Sequence, residues 1–342
     1  MLRANDRVAI LLEDGIKGHH GKTGLAFLRY SRSNTVAVID RACAGKSLTV
    51  LTGIERDVPI VRDVTAALAY KPNVLLIGIA PSGGQLPPNL QQEVTKAIDA
   101  GISIINGLHT LLNPLYPNLK SQQWIWDIRQ EPDNLTIGKA KAKYLNARRI
   151  LTVGTDMAIG KMSASLEIHR AAIDSGIKAQ FIATGQAGIA IAGQGLALDA
   201  VRVDFAAGAV EQAVLDIGKD SELIIIEGQG SLLHPGSTAT LPLIRGSQAT
   251  GLILVHRAGA RHIRDLPDVL IPPLPEAIEL YETVASAGGM GDVKVKAIAL
   301  NTYGMDTPTA RLAIESTTQA TGLPCSDVVR FGGNTLLSAI AV

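Results

Sequence analysis

Short runs of β-branched and aliphatic residues, each ending near Gly, Asp or Asn, alternate with stretches of helical pattern along most of the chain. This alternation is typical of a parallel α/β architecture. The predicted strands are residues 8–12, 36–39, 74–79, 103–105, 149–153, 180–183, 223–226, 251–255 and 295–300. The predicted helices are residues 22–30, 64–70, 90–100, 161–175, 208–217, 275–287 and 307–321. Because the strands are almost continuously apolar, we expect them to be buried on both faces and to bind ligands at their carboxyl ends.

The length of the chain, 342 residues, is roughly twice that of a typical domain, so two domains are expected. Between about residues 124 and 147 the sequence becomes polar, is interrupted by Pro132 and continues into a Lys-rich stretch. We therefore place the boundary near residue 145. The prediction is a Rossmann-like parallel-sheet domain over residues 1–145 and a second α/β domain over residues 146–342.

Composition narrows the class of partner. A hydrophobic share of 46% and a charged share of 18% suit a well-buried globular enzyme and argue against disorder. The 32 Lys and Arg residues balance 31 acidic residues, so we expect a small-molecule substrate and neither nucleic acid nor a membrane as partner. Cys43 and Cys325 fit a reducing compartment, and residues 1–14 lack the pattern of a signal peptide. We expect a cytoplasmic protein, and base rates favour a homo-oligomer.

A phosphate-binding loop opens the second predicted domain. Residues 154–163, GTDMAIGKMS, follow a predicted strand and precede a predicted helix, which is the context that a P-loop requires. Such a loop turns backbone N–H groups towards a phosphate, and the helix N-terminus adds positive potential. We therefore expect a P-loop NTPase-like fold for this domain. The residues predicted to hold the phosphates of a cofactor are Gly154, Thr155, Asp156, Gly160, Lys161 and Ser163.

The loop departs from the usual pattern at two points. Five residues rather than four separate Gly154 from Gly160, and Met162 occupies the position after Lys161 where a Ser or Thr normally binds Mg²⁺. A thioether does not coordinate this hard cation. Ser163 lies one position later and points elsewhere, because neighbouring helical residues are ~100° apart. The pattern favours a cofactor whose phosphates serve only as a handle over a nucleotide that is hydrolysed.

Polar residues follow or flank several other predicted strands. They are Gln186, Asp204, Glu227, Gln229 and Asn301. We expect the first four to meet Lys161 at one edge of the sheet, because parallel strands share their carboxyl edge. Glu227 occupies the place of a Walker-B carboxylate. Asn301 is predicted either to contact the cofactor as a nucleobase reader or to form a turn at the strand end, and the sequence favours neither.

Two family resemblances rest on these motifs. The P-loop together with EGQG at residues 227–230 resembles dethiobiotin synthetase and its P-loop relatives, over the second half of the chain only. A second resemblance spans nearly the whole chain, which is similar to a two-domain family formerly of unknown function with members assigned as D-glutamate N-acetyltransferases. The segments that carry it are 36–40 (VAVID), 78–84 (GIAPSGG), 106–109 (NGLH), 154–163, 183–186 (ATGQ), 204–208 (DFAAG) and 227–235 (EGQGSLLHP).

The second resemblance implies transfer of an acetyl group from acetyl-CoA to the amine of D-glutamate. We infer from the loop itself that the P-loop holds the coenzyme phosphates, since acetyl transfer breaks no phosphate bond. The reaction needs a base for the ammonium proton and donors for the oxyanion. The candidate bases are His109, His234 and Glu227, with Glu227 also a candidate to orient His234. Backbone N–H groups of residues 228–231 are the candidate donors for the oxyanion.

A dicarboxylate substrate favours guanidinium groups, whose fork matches a carboxylate. Arg129, Arg245 and Arg257 are expected in loops or at strand ends near this chemistry. The predicted substrate-binding residues are Arg129, Arg245, Gln186 and Gln229.

Two alternatives stay open. One is an ATP-dependent ligase or kinase similar to dethiobiotin synthetase, in which Asp204 and Glu227 hold magnesium beside ATP. Met162 counts against it, because it removes the expected ligand oxygen. The other is a non-enzymatic P-loop switch that binds a nucleotide and a partner protein. The absence of a guanine signature after Asn301 counts against that one.

Overall fold

A computed structural model describes residues 2–3, 5–18, 20–81, 84–288 and 291–341. Within these ranges the strands are β1 Arg7–Leu11, β2 Asn34–Ile39, β3 Ile60–Val61, β4 Val74–Ile77, β5 Ser103–Asn106, β6 Ile125–Asp127, β7 Arg148–Gly154, β8 Ala179–Ile182, β9 Leu223–Ile226, β10 Gly251–Arg257, β11 His262–Ile263, β12 Leu266–Leu270, β13 Val295–Asn301 and β14 Cys325–Ser326. The helices are α1 Lys22–Tyr30, α2 Leu48–Thr52, α3 Val64–Ala67, α4 Pro88–Asp99, α5 Lys161–Asp174, α6 Gln186–Ala192, α7 Val203–Gly218, α8 Thr240–Ser247, α9 Leu274–Ser286, α10 Thr307–Thr321, α11 Val328–Phe331 and α12 Asn334–Ala341. Residues 82 and 83 of the 78–84 segment lie outside the described residues.

The chain forms two compact units. The first consists of Met1–Gln130 and Gln186–Ala200, and the second of Glu131–Gly185 and Val201–Val342. This division differs from the predicted boundary near residue 145. Residues 131–145 have little regular structure, and their backbone is fastened to the second unit, where the amides of Lys139 and Lys141 donate to the Glu211 carboxylate of α7.

The first unit contains a six-stranded sheet of order β3-β2-β1-β4-β5-β6, in which every neighbouring pair is parallel. This is the strand order of the doubly wound nucleotide-binding fold, so the predicted Rossmann-like architecture is confirmed. Leu11, Ile39 and Leu75 are at most 1% exposed, which places the core on the sheet as the apolar runs predicted. Helix α6, which the sequence did not predict, packs on α1 in this unit.

The second unit contains a parallel six-stranded sheet of order β14-β13-β10-β7-β9-β8. Strand β7 is central, with β10 on one side and β9 on the other. Its core joins Ile150, Ile225 and Ile253 of these three strands to Ile168 of α5. The predicted P-loop NTPase-like α/β fold is confirmed, and the ends of β7, β9, β10 and β13 meet at one edge of the sheet.

Several short elements were not predicted. The antiparallel pair β11–β12 follows β10, and β3, β6 and β14 are edge strands of only two or three residues. Runs this short carry too little periodicity to be recognised. In contrast, α10 has strong boundary signals: the Asp306 carboxylate accepts the amide of Thr309 at its start, and Gly322 ends it with φ of 70°. No helix in the described ranges is long and apolar enough to cross a membrane.

Candidate functional site

The P-loop connects β7 to α5 through residues 155–160. Gly160 has φ of 113°, which favours glycine, and Ala158 also lies in the left-handed region with φ of 53°. A Cβ at Gly154 would stand 3.0 Å from Cδ1 of Ile159 and 3.2 Å from the carbonyl oxygen of Val255, so a larger residue would have to displace these neighbours slightly. These constraints place the loop at the N-terminus of α5, where free backbone N–H groups favour an anion.

Lys161 begins α5 and is only 5% exposed. Its Nζ donates to the backbone carbonyl oxygen of Asp156 at 2.7 Å. Burial lowers the pKa of Lys161 to about 8, although the negative charges of Asp156 and Glu227 act in the opposite direction. An ammonium group has three donors, so it can hold the loop and still donate to a ligand phosphate.

The Asp156 carboxylate fastens the P-loop to the segment 257–264. Its two oxygens accept the backbone amides of Met157 at 2.6 Å and of Arg264 at 2.8 Å. A carboxylate would repel a phosphate, and this one is committed to the loop backbone. Asp156, which the sequence predicted as a cofactor ligand, therefore shapes the loop.

Thr155 is buried and pairs with a histidine that the sequence pattern does not single out. Its hydroxyl lies 2.8 Å from Nδ1 of His256, at the end of the adjacent strand β10. Burial lowers the pKa of His256 to about 4, so the ring is neutral at physiological pH. The predicted strand stopped one residue before His256, and a longer strand would have revealed it as a polar strand-end residue.

Asn301 contacts the P-loop through its side chain, and Ser163 lies in the helix that follows the loop. The Asn301 amide donates to the carbonyl oxygen of Ile159 at 2.8 Å, and its side-chain oxygen accepts the amide of Tyr303 at 2.9 Å. With both polar atoms used, Asn301 supports the P-loop from β13. Ser163 is half-buried in the first turn of α5.

Glu227 follows β9 and is 4% exposed. Its Oε2 accepts the backbone amides of Thr184 at 2.8 Å and Gly185 at 3.2 Å. Burial raises the pKa of Glu227 to about 7, and these hydrogen bonds and the positive charge of Lys161 only partly offset it. A carboxyl group with this pKa can both take up and release a proton near neutral pH.

The loop after Glu227 packs closely against its neighbours. The Gly228 amide donates to the Thr152 hydroxyl at 2.8 Å, and a Cβ at Gly228 would overlap the Thr152 carbonyl oxygen. The side-chain amide of Gln229 packs against Gly185, and a Cβ added at Gly185 would overlap Nε2 of Gln229. The Ser231 amide donates to Ser237. Of the predicted oxyanion donors, the N–H groups of Gly228 and Ser231 are therefore already hydrogen-bonded within the protein. The N–H groups of Gln229 and Gly230 remain as candidates.

His234 is half-buried in the same loop. Its Nδ1 accepts the backbone amide of Gly236 at 3.0 Å. A nitrogen that accepts a hydrogen bond carries no proton, so in the neutral ring the proton is on Nε2. In this tautomer His234 is a donor, and among the described residues no hydrogen bond joins it to Glu227.

Three of the predicted residues lie in the first unit. The ring of His109 packs against Gly84, and burial together with the positive charge of Arg129 lowers the pKa of His109. Arg129 donates from Nε to the Gly107 carbonyl oxygen at 2.7 Å and forms an ion pair with Asp199. Gln186, predicted beside Lys161, begins α6 of the first unit and packs against Gly107.

Asp204 and Arg245 are exposed on helices of the second unit. Asp204 lies in the first turn of α7, and Arg245, which the sequence predicts in a loop or at a strand end, lies in the last turn of α8. No group of three or more His, Cys, Asp or Glu side chains in the described part of the chain is arranged to hold a metal ion.

A cavity of about 360 Å³ lies beside the P-loop in the second unit. One wall is formed by residues 155–159 and the other by residues 257–264, which include Arg257, Arg261 and Arg264. Of these arginines the sequence indicates only Arg257, because no local pattern predicts the fold of residues 257–264.

Comparison with known proteins relates the chain to one family. A family model described as "Domain of unknown function (DUF1611_C) P-loop domain" matches residues 136–337. A second, described as "Domain of unknown function (DUF1611_N) Rossmann-like domain", matches residues 41–131.

Individual relatives agree with these matches. The chain is similar to a protein named D-glutamate N-acetyltransferase from a Pseudoalteromonas species, with 33% identity over 295 residues, 85% of this chain and 86% of the relative. A protein of the same name from Tritonibacter scottomollicae is 33% identical over 294 residues, 80% of this chain and 83% of that protein. The fold is similar to the crystal structure of a DUF1611 family protein from Anabaena variabilis, with 60% identity, a TM-score of 0.96, and coverage of 98% of this chain and 99% of that one.

Proposed function

Because the chain belongs to the DUF1611 family, which joins a Rossmann-like domain to a P-loop domain, we propose that it is an N-acetyltransferase that moves an acetyl group from acetyl-CoA to the amine of an acidic amino acid. D-glutamate is the proposed acceptor. The observation that carries this proposal is the match to two relatives named D-glutamate N-acetyltransferase over more than three quarters of each chain. The site in the second unit supports it in three respects.

The first is the anion site. The backbone at the start of α5 and the ammonium group of Lys161 are proposed to hold the coenzyme phosphates. Met162 follows Lys161, so the position that normally supplies a magnesium ligand carries a thioether. The donor set therefore fits phosphates that remain intact.

The second is a proton acceptor. The coenzyme, when bound, supplies an acetyl group activated as a thioester. We propose Glu227 as the base that takes the proton of the attacking amine, since its pKa of about 7 is matched to this task. Its Oε2 is held by two backbone amides, and Oε1 makes no hydrogen bond to another described residue. The carboxylate is therefore oriented and still has an oxygen with which to act.

The third is a set of donors for developing negative charge. The N–H groups of Gln229 and Gly230, and Nε2–H of His234, are proposed to serve the oxyanion. Arg245, the exposed arginine that the sequence predicted for a substrate carboxylate, lies in the last turn of α8 just before Gln248 and Thr250, which hydrogen-bond to Arg149 at the start of β7, so it lies towards the opposite end of the sheet from Glu227. Arg129 is already paired with Asp199.

The test combines binding and turnover. Thermal unfolding is followed with acetyl-CoA, with ATP and magnesium, and with GTP and magnesium, and thiol release is then measured with D-glutamate and L-glutamate. We expect stabilisation by acetyl-CoA and release of thiol that depends on the amino acid. Stabilisation by ATP and magnesium alone, without thiol release, would overturn the proposal and favour the ligase or kinase alternative.

A further inference from the structure

The cavity beside the P-loop has two kinds of wall. Residues 155–159 include the apolar side chains of Met157 and Ile159, whereas residues 257–264 carry three arginines. Its volume of about 360 Å³ is that of a small ligand pocket and is far too small for a whole coenzyme. The pocket therefore fits one end of an elongated ligand that has an apolar ring and an anionic group.

The arginines give the pocket an excess of positive charge. Arg257 and Arg261 form no ion pair or hydrogen bond through their side chains with other described residues, and Arg264 is 3.6 Å from the exposed Asp265 carboxylate. Asp156 is the one acidic residue in the lining, and its oxygens are taken by backbone amides. In a chain with a net charge of only +1 this is a local concentration of positive charge, with only Arg264 among the three arginines paired to a described carboxylate.

The segment that carries the arginines is held in place. The Ala260 amide donates to the Arg257 carbonyl oxygen, and the Ile271 amide of the strand end donates to the Arg261 carbonyl oxygen, both at 3.0 Å. The Arg264 amide donates to Asp156 at 2.8 Å, which ties the segment to the P-loop itself. Two cationic elements are thus fixed relative to each other: the P-loop with Lys161, and the segment 257–264 with its arginines.

We propose that this pocket binds the adenosine 3′-phosphate end of the coenzyme. The arginines recognise the 3′-phosphate, and Met157 and Ile159 contact the adenine ring. The P-loop holds the pyrophosphate. This inference rests on the proposed function and adds how the protein would distinguish coenzyme A from other nucleotides. A ribose 3′-phosphate distinguishes coenzyme A from ATP, GTP and dephospho-coenzyme A. Guanidinium groups are suited to it because they bind phosphate oxygens through two parallel hydrogen bonds.

The test is isothermal titration of wild-type protein, Arg261→Ala and Arg264→Ala with coenzyme A and with dephospho-coenzyme A. We expect the wild type to prefer coenzyme A by roughly 10- to 100-fold, since a charge-assisted hydrogen bond is worth about one to two powers of ten in affinity. In each variant this preference should fall to a few-fold, while affinity for dephospho-coenzyme A stays unchanged. Arg264→Ala keeps its backbone bond to Asp156, so the P-loop is preserved.

Arg170→Ala is the matched control, because it removes an exposed charge on α5 that is paired with Glu167 and should leave the preference intact. Equal wild-type affinity for the two coenzymes would overturn the pocket assignment. So would an equal loss of affinity for both coenzymes in the arginine variants, which is the signature of a general charge effect. Either result would leave the proposed acetyltransferase untouched, whereas failure of the wild type to bind either coenzyme would remove both proposals.

Discussion

The hydroxyl of Tyr281 donates to the carbonyl oxygen of Gly154 at 2.7 Å, at the residue where β7 ends and the P-loop begins. The hydroxyl oxygen of Tyr281 in turn accepts the backbone amide of Leu232 at 2.9 Å. Tyr281 is fully buried in α9, and burial raises its pKa, so the phenol stays protonated and can make both bonds. One side chain therefore joins the phosphate loop to the loop that follows Glu227.

Tyr281→Phe removes this connection and leaves two backbone groups without a partner. We expect the free energy of unfolding to fall by about 2 kcal/mol, the usual penalty for an unsatisfied buried polar group, and acetyl-CoA to bind several-fold more weakly. Urea denaturation and titration calorimetry measure the two effects. Tyr303→Phe, at a side chain that is 84% exposed, is the control and should change neither. Equal effects of the two substitutions would refute the bridging role.

Lys161→Ala tests the anion site. We expect the affinity for acetyl-CoA to fall by about 10- to 100-fold, because a charge-assisted contact to phosphate is lost, while circular dichroism shows an unchanged fold. Lys219→Ala, at the exposed end of α7, should bind normally. If Lys161→Ala bound acetyl-CoA as the wild type does, the P-loop could not be the phosphate site.

Glu227→Gln tests the proposed role of Glu227 as the base. The wild-type kcat should rise with pH through about 7 and level off above it, since only the ionised carboxylate accepts a proton. The variant should lose about 100-fold or more in kcat and should also lose this inflection. The measurement is a pH–rate profile, with Glu315→Gln on the exposed face of α10 as control. An inflection near pH 7 that persists in Glu227→Gln would assign the base to another group, with His109 next.

His256 makes the stability of the second unit sensitive to acid. Its pKa is lowered from 6.5 to about 4 in the folded protein, so the unfolded chain takes up the proton first as the pH falls. The contribution of neutral His256 to the free energy of unfolding is therefore fully present above pH 6.5. It is lost progressively as the pH falls towards 4, which lowers the free energy of unfolding by up to about 3 kcal/mol. In His256→Gln this slope should be shallower than in the wild type, as measured by urea denaturation at a series of pH values. His262→Gln, at an exposed ring, should keep the wild-type slope, and an identical slope in His256→Gln would contradict the assignment.

Local patterns predicted the parts of the site that lie within one motif. Lys161, Met162 and the strand-end position of Glu227 follow from a few consecutive residues, and each is where the sequence indicated. The hydrogen-bond and ion-pair partners of the predicted residues could not be predicted from local patterns. Asn301 supports Ile159 from another strand, and Arg129 is paired with Asp199, seventy positions further along the chain.

The sequence by itself determined the α/β class, the two sheets and the P-loop, because hydrophobic periodicity and glycine placement act through the backbone over short distances. Only the tertiary structure decided that Tyr281 bridges two loops, that His256 pairs with Thr155, and that the arginines of residues 257–264 face the P-loop across a cavity. These relationships join residues that lie between 49 and 127 positions apart. They depend on which strands become neighbours and on how burial changes the charge of a side chain, and no local pattern encodes either.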